Sequence, residues 1–303
     1  MNFPLNQETF SNKRKIQCCP MLFKTLPIIL LLSAVTISYS HGKNVNNENK
    51  YLLNIPGFFN RAIDTPYFDT NTPSAPGVDT TKNQTSGFEK LPPAVLLDMP
   101  VPGDQGKQPS CGAWAAVYGA GSYYIHLNTG KPYSDSEILS PAFVYNQLPK
   151  GTGGTAAFLD NLKLFKAEGA CSLKSMPYNA NDYSTKPDSA QHHEAATNKI
   201  KGWEKIDPHN LLLVKKELFQ KKPVIFFIAT DEGFDKITPP FTWKERCGRL
   251  GEIHSMVITG YDDSRNAFLV MNSWGTSWGD KGFAWIDYQF FLDNASPKAY
   301  ILM

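Results

Sequence analysis

His254-Ser255-Met256-Val257-Ile258-Thr259-Gly260-Tyr261 and Ala267-Phe268-Leu269-Val270-Met271-Asn272 flank a turn-rich cluster, Asp262-Asp263-Ser264-Arg265-Asn266. Two apolar runs joined by such a cluster predict a β-hairpin. Setting His254 opposite Asn272 centres the pairing on Asp263, inside the turn. The two side chains are therefore expected to face each other across the ladder, to within one position. An asparagine carbonyl placed there accepts from one imidazole nitrogen and orients the other. A lone histidine on a strand is more often structural; one cross-paired with an amide is less so.

Outward from the hairpin, residues 110–125 (SCGAWAAVYGAGSYYI) are apolar or small on nearly every face. They predict a centrally buried helix with Ser110 as its N-cap, ending before Asn128-Thr129-Gly130. Its alanines and glycines would let neighbours approach closely. A second helix is expected over Thr155 to Glu168, where Phe158, Leu159, Leu162 and Phe165 repeat at helical spacing before Gly169. A third spans about Leu211 to Gln220, and Pro223 to Ile228 reads as a buried strand. A helical half followed by a strand-rich half suggests an α+β fold of two lobes with a site at their junction.

Cys111 opens the buried helix, where unpaired N–H groups and the helix dipole favour a thiolate. Taken alone it would read as a small core residue; His254 gives it a proton partner. Gln105 lies six residues upstream, in the loop Gly103-Asp104-Gln105-Gly106-Lys107-Gln108-Pro109. Its amide, beside the Cys111 N–H, would complete a two-donor oxyanion hole. A loop glutamine on its own is ordinarily solvent-exposed, and its weight comes from this company.

Composition narrows the classes. The chain has 303 residues, 42% hydrophobic and 19% charged, which excludes a disordered chain. Thirty basic against 28 acidic residues give a net charge of +2, so no nucleic-acid partner is expected. Cys18, Cys19, Cys111, Cys171 and Cys247 form no CxxC pair, so neither a zinc site nor any other cofactor is expected. His192-His193-Glu194 starts like a zinc-peptidase signature, but Thr197 stands where the second histidine is needed; the segment reads as an exposed loop. The lysines between Lys199 and Lys222 read as solvated helix faces.

Leu26 to Ser38 (LPIILLLSAVTIS) is an apolar run too short to span a bilayer comfortably, with Lys13, Arg14, Lys15 and Lys24 before it and Ser38 and Ser40 after it. It reads as a secretory signal over residues 1–40, with an alternative start at Met21 and an uncleaved anchor as the competing reading. The expectation is export (secreted, periplasmic or lumenal), with no stable membrane association after cleavage. Residues 41–90, rich in Asn, Thr, Pro and Gly with an aromatic island at Phe58-Phe59, read as a propeptide or strap; residues 91–303 read as the folded domain.

The segments Gln105-Gly106 through Ser110-Cys111-Gly112-Ala113-Trp114, His254 to Tyr261, and Asn272-Ser273-Trp274-Gly275-Thr276-Ser277-Trp278-Gly279 together resemble papain-like cysteine peptidases. The resemblance runs over about Leu91 to Ile301. It implies a papain-like fold, with a helical N-terminal lobe, an antiparallel β-barrel-like C-terminal lobe and the active site in the cleft between them. It implies Cys111 as nucleophile, His254 as general base then acid, Asn272 as orienter and Gln105 as oxyanion donor. Trp274 would shield the His254–Asn272 hydrogen bond, Trp278 would border the leaving-group side, and Gly153 and Gly154 would bind extended substrate through their backbones. Protein or peptide substrates and a monomeric, cofactor-free enzyme made as a zymogen follow from it. Gly112 departs from the tryptophan common after the nucleophile, and Gln108 replaces a usual cysteine. A single Cys171–Cys247 bridge would leave Cys111 as the one reactive thiol. The alternatives are a transpeptidase or amidase using the same nucleophile, and a binding module with a silent site.

Overall fold

The computed structural model describes residues 91–148 and 158–303. The expected signal and strap, and Gly153 and Gly154, lie outside the described residues. The strands in chain order are β1 (Ala94–Leu96), β2 (Trp203–Ile206), β3 (Val224–Asp231), β4 (Thr242–Trp243), β5 (Leu250–Asp262), β6 (Ala267–Met271), β7 (Phe283–Asp287) and β8 (Ala299–Leu302). The α-helices are α1 (Cys111–Ala113), α2 (Ser122–Thr129), α3 (Pro141–Tyr145), α4 (Phe158–Glu168), α5 (Ser189–Ala195), α6 (Leu211–Phe219), α7 (Glu232–Asp235) and α8 (Tyr288–Asn294). A π-helical segment, Trp114–Gly121, joins α1 to α2.

The strands form one sheet in the order β2-β8-β3-β5-β6-β7-β4, with β1 added to the far half of β5. Pairing is antiparallel except for the short parallel β4–β7 contact. The order is linear, with β2 and β4 at opposite edges, so the sheet is open; this corrects the barrel-like lobe implied by the resemblance.

Alternation along the strands creates the two lobes. Ile225 and Phe227 of β3 and Val257 of β5 point into a core with the helical half, against Trp114, Ala116, Phe143, Leu162 and Phe165. Val224, Phe226 and Ile228, with Met256 and Ile258, point into a second core with Leu218, Phe234, Phe268, Ile286 and Phe291. Each fully buried Phe, Leu or Ile contributes about 1.5–3 kcal/mol of burial.

The buried helix forms, but as α1, the π segment and α2, and it runs past the expected end to Thr129. Gly130, at φ 68°, ends it in the left-handed conformation. Its small residues permit close packing: a Cβ on Gly121 would sit 2.8 Å from the Phe165 ring, and one on Gly119 3.1 Å from Val257. Ser110 precedes the helix without capping it through its side chain. Asn210, Asp231 and Asp287 do cap, each accepting from a backbone N–H two or three residues on, at the starts of α6, α7 and α8.

Three further expectations are corrected. No disulfide joins Cys171 to Cys247. Cys171 is fully buried in the helical core, whereas Cys247 sits on the β4–β5 connection, where its N–H reaches Asp231 Oδ2 at 3.3 Å. His192-His193-Glu194 is helical, on α5, because Asp188 and Gln191 form a reciprocal capping box before it. Of the lysines, Lys215 is largely covered, its ammonium 2.6 Å from Asp263 and 4.5 Å from the Tyr288 ring centre.

Candidate active site

The hairpin forms, with a register different from the expected one. Asp262 pairs with Ala267 across a loop in which Asn266 takes φ 53°, so the turn centres beyond Asp263. An irregularity at Thr259 then shifts the ladder, and Val257 faces Met271. Carrying that register one residue further sets Met256, not His254, opposite Asn272. His254 is two residues along on the same face, a diagonal neighbour. The side chains meet regardless: His254 Nε2 lies 2.7 Å from Asn272 Oδ1. An amide oxygen only accepts, so Nε2 carries the proton and Nδ1 is left for another partner. Both residues are buried.

Asn272 is itself fixed from several directions. Its Oδ1 also accepts the Ser273 N–H at 2.7 Å, and its own N–H donates to Gly282 O at 3.0 Å. Trp274 lies over His254, ring centres 4.9 Å apart and planes at 30°. Trp278 packs edge-on against Trp274 at 5.5 Å. Phe234, in α7 just after β3, touches Trp274, Trp278 and Trp243, and its carbonyl accepts from Trp278 Nε1 at 3.1 Å. This aromatic block covers the His254 ring through Trp274 and backs Trp274 with Trp278 and Phe234.

Cys111 is the first residue of α1, which packs against β5, the strand that carries His254. The loop before it is tied to the sheet side by backbone bonds. Gln105 N–H donates to Ser273 O at 2.8 Å, Gly275 N–H to Gly103 O at 2.9 Å, and Asp104 bridges Trp274. Gln105 is buried, unlike an ordinary loop glutamine. Its Oε1 accepts from Ser273 Oγ at 2.6 Å, and one Nε2 hydrogen goes to Gln108 O at 2.9 Å, leaving the second available. Gln108 is buried as well: Tyr178 OH donates to its Oε1 at 2.9 Å, and its Nε2 donates to Asp182 O at 3.3 Å.

The structure therefore brings together Gln105, His254, Asn272, Trp274 and Trp278, with Cys111 on the helix that packs against the strand carrying His254. Ser273, Phe234, Trp243 and Tyr178 were not singled out from the sequence. Ser273 sits inside a quoted motif, and Asp231 capping Phe234 just after a strand was a readable signal. Tyr178 lies in an irregular segment, where no periodicity marks it.

The papain family cysteine protease model matches residues 100–292. Mouse cathepsin K is 25% identical over 186 residues, covering 60% of this chain and 54% of that protein. A peptidase C1-like protein of Acanthamoeba polyphaga mimivirus is 22% identical over 209 residues, covering 63% and 65%. The chain thus spans between half and two-thirds of the length of these relatives. Among solved structures, xylellain, a cysteine protease from Xylella fastidiosa, superposes with TM-score 0.61 at 21% identity over 76% of this chain and 94% of that one. Bromelain from Ananas comosus, solved with the E64 inhibitor, gives 0.58 at 16% identity over 70% and 99%. The structural likeness carries the fold, and the family model covers well over half of the chain: this protein belongs to the papain family of cysteine proteases.

Proposed function

We propose that the protein is an exported cysteine peptidase that hydrolyses protein or peptide substrates through an acyl-thioenzyme on Cys111. The observation that carries the reading is the buried 2.7 Å contact of His254 with Asn272 beneath Trp274, on the strand against which the Cys111 helix packs. The Cys111 thiolate attacks the scissile carbonyl, and the oxyanion is held by the Cys111 N–H and the unused Gln105 amide hydrogen. Protonated His254 gives its proton to the leaving amine. As base, it then takes a proton from the water that cleaves the thioester. Asn272 orients the ring, Trp278 borders the leaving-group side, and Gly153 and Gly154 bind extended substrate by backbone hydrogen bonds. Needing thiolate and imidazolium together, activity follows a bell-shaped pH profile. The enzyme acts as a monomer without a cofactor.

Export rests on the apolar run Leu26 to Ser38 and its basic flank, and residues 41–90 act as the removable front of a zymogen. No helix of the described residues is long and apolar enough to cross a membrane.

The test is labelling with an epoxysuccinyl inhibitor under reducing conditions, comparing wild type with Cys111→Ala and His254→Ala. The expected result is a stoichiometric adduct on Cys111 in the wild type only, with hydrolysis of a peptide amide that both substitutions abolish. No adduct on Cys111 removes the peptidase reading. Turnover that yields ligated product with an added amine, and no hydrolysis, replaces it with the transpeptidase.

A further inference from the structure

Residues 105–110 carry both groups assigned to oxyanion stabilisation at their boundaries: Gln105 supplies a side-chain amide, and Ser110 supplies the carbonyl half of the peptide whose N–H belongs to Cys111. One atom touches this stretch three times. The Tyr178 hydroxyl oxygen lies 2.9 Å from Gln105 O, 2.9 Å from Gln108 Oε1 and 2.9 Å from Ser110 Oγ. We infer that Tyr178 is a positioning residue that sets the oxyanion donors through this hydroxyl, an inference that rests on the peptidase reading above.

Gln105 O and Gln108 Oε1 only accept, so the one phenolic proton is shared between them as a three-centre bond, and the one Ser110 Oγ–H proton is shared between the phenolic oxygen and Gln108 O. The Gln108 amide orientation is fixed independently, since its Nε2 donates to Asp182 O at 3.3 Å. The ring is held as well as the hydroxyl: it stands edge-on to Trp114, centres 4.8 Å apart and planes at 79°. Trp114 is a core residue one turn into the nucleophile's helix. Tyr178 thus links the helix bearing Cys111, the loop bearing Gln105 and, through Gln108, the turn at Asp182.

The Ser110 contact bears most directly on the chemistry. Ser110 Oγ has its neighbours in Tyr178 and in Gln108 O, at 3.5 Å, and its own N–H donates to Gln108 O at 2.8 Å. These contacts hold the Ser110–Cys111 peptide plane, and the direction of the Cys111 N–H follows from that plane. At the other end, the contact on Gln105 O fixes the backbone from which the Gln105 side chain projects. An oxyanion hole works by holding its donors 2.7–3.1 Å from the developing charge before that charge appears, so slack at either end lowers the chemical step and leaves substrate binding largely alone.

Tyr178→Phe keeps the ring and removes the oxygen. The expected result is a kcat for peptide-amide hydrolysis lowered about 10- to 100-fold, with KM within about twofold of wild type. Alkylation of Cys111 by iodoacetamide has no tetrahedral intermediate, and its rate should stay within about twofold. That divergence is the diagnostic readout, because general damage to the site lowers both rates. Ser110→Ala removes one of the three contacts and should shift kcat in the same direction by about 3- to 10-fold; it serves as the second variant if Tyr178→Phe folds poorly. Equal loss of turnover and alkylation in both variants, or unchanged kcat in both, overturns the assignment. Wild-type hydrolysis with unchanged variants sinks this inference and leaves the peptidase reading standing. A wild type that alkylates but never hydrolyses sinks both.

Discussion

Replacing Asn272 by alanine removes the acceptor that holds His254 in place. Asn272 Oδ1 takes the imidazole Nε2–H at 2.7 Å and the Ser273 N–H at 2.7 Å, in a residue 2% exposed. A hydrogen bond to a charged partner contributes about 1.5–3 kcal/mol, and in the proposed mechanism His254 is charged in the step that delivers a proton to the leaving amine. At 1.36 kcal/mol per tenfold, kcat/KM should fall by about 10- to 150-fold. Trp274 still lies over the ring at 4.9 Å, so the loss should stay well short of that for His254→Ala. The second acceptor contact predicts a stability cost: an orphaned, buried Ser273 N–H costs about 1–3 kcal/mol. At 2–4 °C per kcal/mol for a domain of this size, the melting temperature should drop by roughly 2–12 °C. The assay is kcat and KM on a fluorogenic peptide amide, normalised to sites titrated with the covalent inhibitor, beside a thermal melt. A kcat/KM within threefold of wild type per titrated site would refute the orienting role. A loss equal to that of His254→Ala would show that Asn272 does more than orient.

Other perturbations test the fold and the buried Cys171 thiol. Burial, reinforced by nearby Glu194, pushes the Cys171 thiol up to about 12. A thiol reagent at pH 8 should therefore label Cys111 and spare Cys171 in the native protein, and peptide mapping that finds Cys171 modified first would contradict this. Lys215→Ala removes a 2.6 Å contact to Asp263 and the ammonium over the Tyr288 ring, and it should cost about 1–2 kcal/mol, or roughly 2–8 °C. Asp263 is half-exposed, so most of that loss is assigned to the rings, and Lys215→Met should recover part of it. Gly169 follows α4 at φ 85°, and a Cβ there would lie 1.8 Å from Ala195 O. Gly169→Ala should cost about 3 kcal/mol or more, and a melting temperature within 3 °C of wild type would show that the backbone there yields.

The parts of the site that were legible in the sequence are those set by local pattern. Two apolar runs joined by a polar, turn-rich cluster give the hairpin. A run of small and apolar residues before Gly130 gives the buried helix, with Cys111 at its start. The register was not legible, because it depends on where the turn closes and on the irregularity at Thr259, and two continuous apolar runs mark neither. Cysteine count suggested a Cys171–Cys247 bridge, but counting carries no distance: one thiol is in the helical core and the other on a sheet connection. An open rather than closed sheet is likewise decided by which strands are left at the edges, β2 and β4, and these are far apart in sequence.

By itself, the sequence determined which chemistry this protein carries. A cysteine at a helix start, a histidine on one strand of a hairpin, an asparagine just past the other, and an upstream glutamine are fixed by residue identity and spacing. Only the tertiary structure decided how that chemistry is held. The diagonal approach of His254 to Asn272, the aromatic block around Phe234, the Ser273 hydroxyl on Gln105 and the Tyr178 hydroxyl beneath the loop all join residues that are distant in sequence. Such contacts exist only once the two cores have formed on opposite faces of one sheet, because side-chain hydrogen bonds at 2.6–2.9 Å require a backbone already fixed by packing.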